Sequence, residues 1–233
     1  MLLNIYKNSG MSSHDVVDEI RNIMNEDKVG HGGTLDPFAE GVLIVGVGRE
    51  STKKLGNFQN ETEKEYIAKL ELGKVSETLD PEGELKQTPS TKSQKAEKND
   101  QKKTRKVSDI EISEILSTLK EFEGEIEQVP PKYSAVKLDG TPAYKLARQG
   151  KDFELPPRIV TIDDIEFLEW DPPELAIRVR CGSGTYIRAL ARDIGKRLRV
   201  GAYLKRLVRT RVGNYTIEKS KTLKEIKENY SNQ

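Results

Sequence analysis

Asp36 is the residue with the clearest chemical potential, because it lies in a glycine-rich stretch, GHGGTLDP, at residues 30–37. An aspartate before a proline usually forms a turn, so taken alone this position favours a structural role. A phosphate-binding loop is poorly supported, since neither a Gly-Lys-Ser/Thr ending nor a G-x-G-x-x-G pattern follows. Serine catalysis lacks a G-x-S-x-G elbow. On its own, the stretch does not decide between a turn and a catalytic carboxylate.

Metal and disulfide chemistry find little support in the composition. Cys181 is the only cysteine, which excludes an intrachain disulfide and a thiolate metal cluster. His14 and His31 are the only histidines, so a zinc site would need carboxylates to complete it. We therefore expect no metal, no cofactor and a reducing, cytoplasmic setting.

The composition predicts a soluble globular protein with a heavily charged surface. Of 233 residues, 35% are hydrophobic and 33% are charged, and no apolar run approaches the ~18–20 residues that a membrane span needs. The N-terminal MLLNIYK lacks a basic segment followed by an apolar one, which argues against a signal peptide. The net charge of +1 does not indicate a polyanionic partner, but the charge is unevenly distributed.

One segment, from Arg178 to Arg211, is strongly basic, and Asp193 is its only acidic residue. A solvated helix face normally mixes both signs of charge, so this excess favours a surface that faces phosphates. The basic residues are Arg178, Arg180, Arg188, Arg192, Lys196, Arg197, Arg199, Lys205, Arg206, Arg209 and Arg211.

The hydrophobic pattern predicts helices and strands in mixed order. An amphipathic helix begins at Ser12 and Ser13, and the apolar stretch 42–45 predicts a strand. Ser108 is expected to cap another helix, with Glu111 completing a capping box. Without a regular βαβ repeat, the pattern predicts an α+β fold with a mixed, largely antiparallel central sheet flanked by helices and loops. Further strands are expected at 65–72, 159–167 and 175–181, and further helices at 142–148 and 187–198.

Residues 86–106 are rich in lysine and nearly free of large apolar side chains. Such a segment cannot offset its ordering entropy by burial, so we predict a flexible inserted loop. The segment interrupts one domain rather than joining two, because neither flank has a convincing separate core. We expect one domain over residues 1–217 and a short tail over residues 218–233.

Five blocks of sequence, in a fixed order, carry more information than any single motif. They are KVGHGGTLDPFAEGVL at 28–43, KEY at 64–66 with DPEG at 80–83, QVPPKYSAVK at 128–137, CGSGTYIR at 181–188, and GAYL at 201–204 through RTRVG at 209–213. One glycine-rich match would be weak evidence, whereas five ordered blocks are not a coincidence. Together they closely resemble the TruB family of tRNA pseudouridine synthases, and QVPPKYSAVK is similar to that family's proline-rich thumb segment.

The resemblance implies catalytic roles for three residues. Asp36 corresponds to the essential aspartate, whose carboxylate attacks the nucleotide and permits glycosidic-bond cleavage, base rotation and carbon–carbon bond formation. Attack on the ribose and attack on the uracil ring both remain open. Arg188 corresponds to an arginine that pairs with Asp36, although without the resemblance it would be taken for a phosphate-binding arginine. Tyr66 corresponds to a tyrosine that lies against the target base.

Four further residues are expected to contact the RNA or the target base. Leu207 corresponds to an apolar residue of the uracil pocket, and His31 to a histidine that occupies the space left by the extruded base. Asp80 and Arg209 are expected to contact the RNA or the target nucleotide. Without the resemblance, Leu207 is typical of a core residue, His31 of a loop hydrogen bond, and Tyr66 could equally be core.

The implied activity is isomerisation of uridine to pseudouridine at position 55, in the tRNA T-loop. The target base must be unstacked and flipped, and contacts from the arginine-rich segment and from the thumb at 129–157 could offset that cost. Isomerisation changes no oxidation state, so no redox cofactor is needed. We expect tRNA as partner, no membrane, no guide-RNA partner proteins and a monomer.

Two alternatives stay open: a tRNA-folding chaperone without chemistry, and a pseudouridine synthase that acts on another RNA. The intact set of Asp36, Tyr66 and Arg188 argues against a chaperone as the sole activity. The sequence also departs from the family pattern, because Asn8 stands where proline is common. Since the chain ends soon after the last block, we expect no PUA-type RNA-binding domain.

Overall fold

The computed structural model describes residues 1–88 and 105–231, without the side chains of residues 57–61 and 231. Most of the predicted insertion, residues 89–104, therefore lies outside the described residues. The start of the insertion differs from the prediction, because Lys86 pairs with Val75 in a small antiparallel hairpin. Lys86 thus lies in a strand and not in a loop.

Helices and strands alternate irregularly along the chain. The helices are α1 (Ser13–Met24), α2 (Arg49–Glu61), α3 (Ile112–Lys120), α4 (Ala143–Arg148), α5 (Ile187–Arg197) and α6 (Leu223–Ser231). The strands are β1 (Leu2–Lys7), β2 (Val29–His31), β3 (Glu40–Val47), β4 (Lys64–Leu72), β5 (Lys74–Ser76), β6 (Leu85–Gln87), β7 (Gly124–Gln128), β8 (Lys137–Leu138), β9 (Thr141–Pro142), β10 (Arg158–Asp171), β11 (Glu174–Cys181), β12 (Ala202–Val212) and β13 (Tyr215–Thr216). Among the described helices, none has both the length and the apolar character that crossing a bilayer requires.

The chain divides into two compact units, and each unit combines segments that are distant in sequence. Unit 1 consists of Met1–Ile67, Val179–Gly184 and Arg206–Gln233. Unit 2 consists of Ala68–Arg178 and Thr185–Lys205.

Unit 1 is built around β3. β1 runs antiparallel to β3, with Leu3 opposite Val45. β12 runs parallel to the first residues of β3, with Arg209 opposite Gly41, and β2 runs antiparallel to its last residues, with His31 opposite Val45. The described pairings of the two units combine this parallel contact with antiparallel ones, which confirms the predicted α+β class with a mixed sheet.

The two faces of β3 explain its continuous apolar sequence. Leu43 and Val45 belong to a buried cluster with residues of α1 and α6, whereas Val42 and Ile44 pack with Leu55 of α2. A strand that is buried on both sides carries apolar residues at successive positions instead of alternating ones. This burial fixes β3, and with it the end of the glycine-rich loop that leads into the strand.

α1 begins where the sequence predicts. Ser12 occupies the N-cap position, and its side chain and that of Asp15 form a reciprocal capping box. Val16, Val17 and Ile20 are at most 1% exposed, so the apolar face of the helix is the buried one. The capping box and the amphipathic spacing place the start of the helix at the same residues, and the predicted helix is confirmed.

In unit 2 the order of the main strands is β4, β11, β10 and β7. β7 runs antiparallel to β10, and short hairpins join β5 to β6 and β8 to β9. The interior contains Ile115 and Leu119 of α3, Ile162 of β10, and Leu175 and Ile177 of β11, all at most 2% exposed.

The start of α3 differs from the prediction. Ser108 lies inside a 3-10 turn, Val107–Asp109, and its hydroxyl donates to Asp109 Oδ1 at 3.0 Å. α3 begins only at Ile112, with Glu111 in the N-cap position and no side chain capping the helix. The predicted capping box is wrong, because the 3-10 turn uses Ser108 as an interior residue.

Candidate active site

The stretch from Gly32 to Ala39 connects β2 to β3 in unit 1 and carries Asp36. The amide of Gly32 donates to Ile44 O at 2.7 Å, which holds the start of the stretch beside β3. The amide of Ala39 donates to Asp36 O at 3.1 Å and closes a four-residue turn. The Asp-Pro turn that the sequence favours is therefore present, and Asp36 is half-buried.

Six consecutive backbone carbonyls of this loop, from Gly33 to Phe38, each accept a hydrogen bond. Two bonds come from the Arg209 guanidinium, and the others come from hydroxyls and amides. The bonds are Arg209 to Gly33 (3.1 Å) and to Thr34 (3.4 Å), Ser13 to Leu35 (2.9 Å), Ala39 to Asp36 (3.1 Å), Gly10 to Pro37 (2.8 Å) and Ser9 to Phe38 (2.8 Å). A loop whose backbone groups are satisfied in this way has few competing conformations. The backbone that carries Asp36 is thus held on both sides of the carboxylate.

Arg209 of β12 is directed at this loop. Its side chain is 1% exposed, and Nε donates to Val42 O at 2.7 Å in addition to the two loop bonds. A buried guanidinium must find acceptors for its donors, and here the acceptors are backbone carbonyls of the same unit. The predicted contact of Arg209 with RNA stays a prediction. Arg209 braces the loop.

A glycine permits this arrangement. Gly41 lies opposite Arg209 where β3 meets β12, and a Cβ at Gly41 would be 2.2 Å from Arg209 O. The φ angle of Gly41 is +110°, which residues with a side chain rarely adopt. Glycine alone fits both the close approach and the backbone angle.

Lys7, at the end of β1, is a second buried cation next to the loop. Its side chain is completely buried, and Nζ donates to Asn8 O (3.0 Å), Met11 O (2.6 Å) and Pro37 O (3.2 Å). Burial lowers the pKa of Lys7 to about 8, although the negative charge of Asp36 opposes the shift. Lys7 joins the loop after β1 to the turn that carries Asp36.

Lys64, at the start of β4, is a third buried cation of unit 1. Lys64 is 7% exposed, and its Nζ donates to Ser183 Oγ (2.8 Å) and Thr62 O (3.3 Å). Burial lowers the pKa of Lys64, and the positive charge of Arg209 lowers it further. Lys7, Lys64 and Arg209 thus concentrate positive charge in the interior of this unit.

Tyr66 and Leu207 project from β4 and β12, which are neighbouring strands. They are 7% and 5% exposed. Burial raises the pKa of the Tyr66 phenol, whereas the positive charge of Arg209 opposes the shift. Burial is equally expected of a core residue and of a pocket residue. The pocket role of Tyr66 stays a prediction.

His31 ends β2, directly before the loop, and is half-buried. Burial lowers the pKa of His31, and the positive charge of Arg209 lowers it further. The ring is therefore neutral at pH 7. Its Nδ1 is buried and has no hydrogen-bond partner within residues 1–88 and 105–231.

In unit 2, Arg188 and Asp80 form a buried ion pair. NH1 of Arg188 donates to Asp80 Oδ2 at 3.1 Å, and the two residues are 5% and 2% exposed. The guanidinium also donates to Thr78 O and Tyr133 O, both at 2.9 Å. Asp80 accepts further bonds from the Thr78 hydroxyl (2.5 Å) and the Glu82 amide (3.0 Å). Because Asp80 is buried and bonded to Arg188, this geometry does not support the predicted contact between Asp80 and RNA.

The predicted site residues thus fall into two groups. Unit 1 holds Asp36, His31, Tyr66, Leu207 and Arg209, and unit 2 holds Arg188 and Asp80. The predicted pairing of Arg188 with Asp36 joins residues of different units and stays a prediction.

Two family models together match residues 21–233. The N-terminal domain of the TruB family pseudouridylate synthases matches residues 21–187, and the C-terminal domain of tRNA pseudouridylate synthase B matches residues 188–233. The chain belongs to the TruB family.

Curated TruB relatives agree with this assignment. A tRNA pseudouridine synthase B of Dehalococcoides mccartyi (strain CBDB1) is 43% identical over 220 residues, which cover 94% of this chain and 67% of the relative. Another protein of the same name, from Bacteroides fragilis, is 48% identical over 191 residues, which cover 82% of this chain and 74% of the relative.

Solved structures share the fold of this TruB-family chain. A chain in the crystal structure of a Cbf5-Nop10-Gar1 complex is 32% identical with a TM-score of 0.72, covering 98% of this chain and 54% of that chain. A chain in an H/ACA RNP bound to a substrate RNA containing 2′-deoxyuridine is 30% identical with a TM-score of 0.68, covering 98% and 53%. This chain spans about half the length of those two chains.

The basic segment of the TruB-family chain has acidic partners that its sequence pattern does not show. Most of its cations are paired with acidic side chains, nearly all of them outside the segment, or are buried. The predicted phosphate-facing surface stays a prediction for the exposed cations. A scan along the sequence misses these partners, because acids that are distant in sequence lie close in space. The pairs are Arg178 with Glu166, Arg192 with Asp193, Arg197 with Glu121, Lys205 with Glu174, Arg206 with Glu40 and Arg211 with Glu63, while Arg188 and Arg209 are buried.

Asn8 departs from the TruB family pattern, but its neighbour Lys7 is the residue that bonds to the loop of Asp36. A lysine at the end of an apolar strand, directly before Asn-Ser-Gly, was the available signal. Lys64 was missed although it stands in the KEY block, because nothing in the sequence indicates that its ammonium group is buried.

Proposed function

We propose that this protein isomerises uridine to pseudouridine at position 55, in the T-loop of tRNA. One observation carries the proposal. Asp36 stands in the middle of a loop whose six carbonyls from Gly33 to Phe38 are all bonded, next to the buried cations Lys7 and Arg209. Membership of the TruB family supplies the reaction class.

In this reaction the Asp36 carboxylate is the nucleophile and forms a transient bond to the target nucleotide. The bond between N1 of uracil and C1′ of ribose breaks, and the detached base rotates. A new bond then forms between C5 of uracil and C1′, C5 loses its proton, N1 gains one, and Asp36 is released. Product and substrate are isomers, so the step needs no oxidant, reductant or second substrate.

The neighbours of Asp36 have distinct tasks. The positive charges of Lys7 and Arg209 favour an ionised carboxylate, which is the nucleophilic form. Tyr66 is neutral and presents a flat ring to the base, with a hydroxyl that can exchange a proton. In unit 2, Asp80 orients the Arg188 guanidinium, and Arg188 in turn pairs with the catalytic carboxylate during the reaction.

The target base reaches the site by flipping out of the T-loop. Leu207 lines the pocket that receives the uracil ring, and His31, as a neutral ring, fills the space that the base leaves without bringing in a charge. Because the relatives that are 43% and 48% identical are named for tRNA, tRNA itself is the substrate that we favour. We place the reaction in the cytoplasm, where tRNA is found.

The test is tritium release from tRNA transcripts that are labelled at C5 of uridine, since only the formation of the C5–C1′ bond releases that atom. Wild type should release one equivalent per tRNA, and Asp36→Asn should release none while it still binds tRNA. If the wild type releases no more than Asp36→Asn, the protein is not a pseudouridine synthase on this substrate.

A second measurement separates the RNA substrates. Pseudouridine positions are mapped in total RNA from cells with and without the gene for this chain. Loss of the modification at tRNA position 55 supports the proposal. An intact position 55 together with lost sites in another RNA would replace tRNA by that RNA as the substrate.

A further inference from the structure

Gln128 is an almost fully buried polar residue of unit 2 that the reaction does not use directly. It ends β7, is 1% exposed, and its Oε1 accepts the amide of Tyr186 at 2.8 Å. Tyr186 is the N-cap residue of α5, and Arg188 follows it by two residues. The side chain of Gln128 therefore holds the point from which the helix that carries Arg188 begins.

Packing alone does not explain a glutamine at this position. Its Nε2 is buried and has no hydrogen-bond partner among the residues that the structure describes. A buried donor without a partner lowers stability, and a leucine or methionine of similar size would avoid that cost. What glutamine supplies and those residues cannot is the acceptor for Tyr186.

A second bond joins the same two parts of the chain. NH2 of Arg188 donates to Tyr133 O at 2.9 Å, and Tyr133 lies five residues after Gln128. NH2 of Arg192, one helical turn further on, donates to Val129 O at 3.0 Å. The N-cap and first half of α5 are thus tied to residues 128–133 at three points.

These bonds close a ring. The chain runs from Gln128 to Tyr133, a hydrogen bond leads to the Arg188 side chain, the backbone leads back to Tyr186, and a hydrogen bond returns to Gln128. In such a ring, loss of one bond weakens the geometry of the other. The contacts of Arg188 with Asp80 and Thr78 hold the tip of the guanidinium, but they do not fix the backbone from which it extends.

We propose that Gln128 is a positioning residue that sets Arg188 for the reaction by fixing the amide of Tyr186. The inference rests on the proposed function, in which Arg188 pairs with the catalytic carboxylate. Gln128 does not touch the substrate. Its loss therefore slows the chemical step and leaves tRNA binding nearly intact.

Two substitutions separate positioning from stability. Gln128→Met keeps the size of the side chain and removes the acceptor, whereas Gln128→Glu keeps the acceptor and buries a carboxylate. We expect the single-turnover rate at saturating tRNA to fall about 10- to 100-fold in Gln128→Met, as small misplacements of catalytic groups do. Gln128→Glu should be faster than Gln128→Met although it is the less stable of the two, because a buried carboxylate destabilises more than a thioether. The tRNA dissociation constant should change little in either variant.

Thr118→Val serves as the matched control, because Thr118 is a buried polar residue of the same unit at 4% exposure. It should lower the melting temperature without changing the single-turnover rate. In an Arg188→Lys background, Gln128→Met should slow the reaction no further, since the residue that it positions is already gone.

A measurement without substrate keeps this inference separate from the proposed function. In ¹⁵N spectra, the guanidinium protons of Arg188 should exchange slowly in wild type and in Gln128→Glu, and rapidly in Gln128→Met. If wild type modifies no tRNA, the proposed function fails, but the exchange rates still decide whether Gln128 holds Arg188. Unchanged guanidinium exchange in Gln128→Met would overturn the inference. Single-turnover rates that follow the melting temperature across Gln128→Met, Gln128→Glu and Thr118→Val would overturn it as well.

Discussion

Arg188 donates to Asp80 across 3.1 Å inside unit 2, and neither residue is more than 5% exposed. Each of two charges that are buried together compensates for the water that the other has lost, so removing one of them destabilises the other. Asp80 is held in turn by the Thr78 hydroxyl and the Glu82 amide. The pair therefore defines one orientation for the guanidinium of Arg188, which also donates to the carbonyls of Thr78 and Tyr133.

Asp80→Asn should slow catalysis more than it weakens tRNA binding. The amide has nearly the same shape but no charge, so Arg188 loses an ionic partner that orients its guanidinium. Breaking a buried ion pair typically costs about 3–5 kcal/mol of stability, which urea unfolding will measure. Single-turnover kinetics and filter binding give the rate and the affinity. The control is Asp163→Asn, an exposed carboxylate of the same unit, which should change none of the three. Equal losses of rate and affinity in Asp80→Asn would instead indicate a direct RNA contact.

Lys7 should make the stability of the protein depend on pH between 8 and 10.5. The pKa of Lys7 is lowered by burial from 10.5 to about 8. Between these values the unfolded chain binds a proton that the folded protein does not, so the free energy of unfolding rises with pH in this window. Below pH 8 both states are protonated, and the contribution of the buried charge is constant and unfavourable.

The comparison is with Lys7→Met, which removes the titrating group. The stability difference, wild type minus Lys7→Met, should increase by up to roughly 1.4 kcal/mol per pH unit above pH 8. Urea unfolding at about pH 7.5, 8.5, 9.5 and 10.5, which covers the window in steps of roughly one unit, supplies the measurement. Lys224→Met, at an 86% exposed side chain, should give no such slope. A flat difference for Lys7 would mean that its ammonium group is solvated.

Gly41→Ala should be much more damaging than Gly48→Ala, although both glycines have positive φ angles of +110° and +84°. A Cβ at Gly41 would be 2.2 Å from Arg209 O, whereas a Cβ at Gly48 meets nothing within 4 Å. The backbone angle alone costs about 1–2 kcal/mol at either position. The clash should bring the loss for Gly41→Ala to on the order of 3–5 kcal/mol, and it should also reduce turnover, because Arg209 braces the loop of Asp36. Equal stability of the two variants in thermal unfolding would show that β3 and β12 can separate at no cost.

Removal of residues 89–104, with a short Gly-Ser linker in their place, should leave turnover at saturating tRNA within about twofold of wild type. Thr88 and Arg105 are kept, because their amides donate to Gly73 O (2.9 Å) and Arg199 O (3.4 Å). A weaker affinity with unchanged turnover would identify the segment as an auxiliary tRNA contact. A collapse in turnover would make it part of the catalytic apparatus.

Local patterns predicted the elements well and their contacts poorly. The capping pattern at Ser12 and the apolar run of β3 specify their elements through neighbours in sequence, and both are present. The capping pattern at Ser108 failed because a 3-10 turn competes for the same residues. The pattern of the basic segment 178–211 does not reveal its acidic partners, such as Glu40 and Glu121, because they come from other elements.

The sequence by itself determined the family and the position of Asp36, because these depend on ordered motifs that need no coordinates to read. It also determined the α+β class through hydrophobic periodicity. Only the tertiary structure decided what holds the Asp36 loop, namely Lys7 and Arg209, and that Arg188 has Asp80 as a partner. The physical reason is that burial turns a charged side chain from a solvated group into one that must find acceptors within the fold. For Lys7 and Arg209 these acceptors are backbone carbonyls, and for Arg188 they include a carboxylate that is distant in sequence, and no sequence pattern marks either kind.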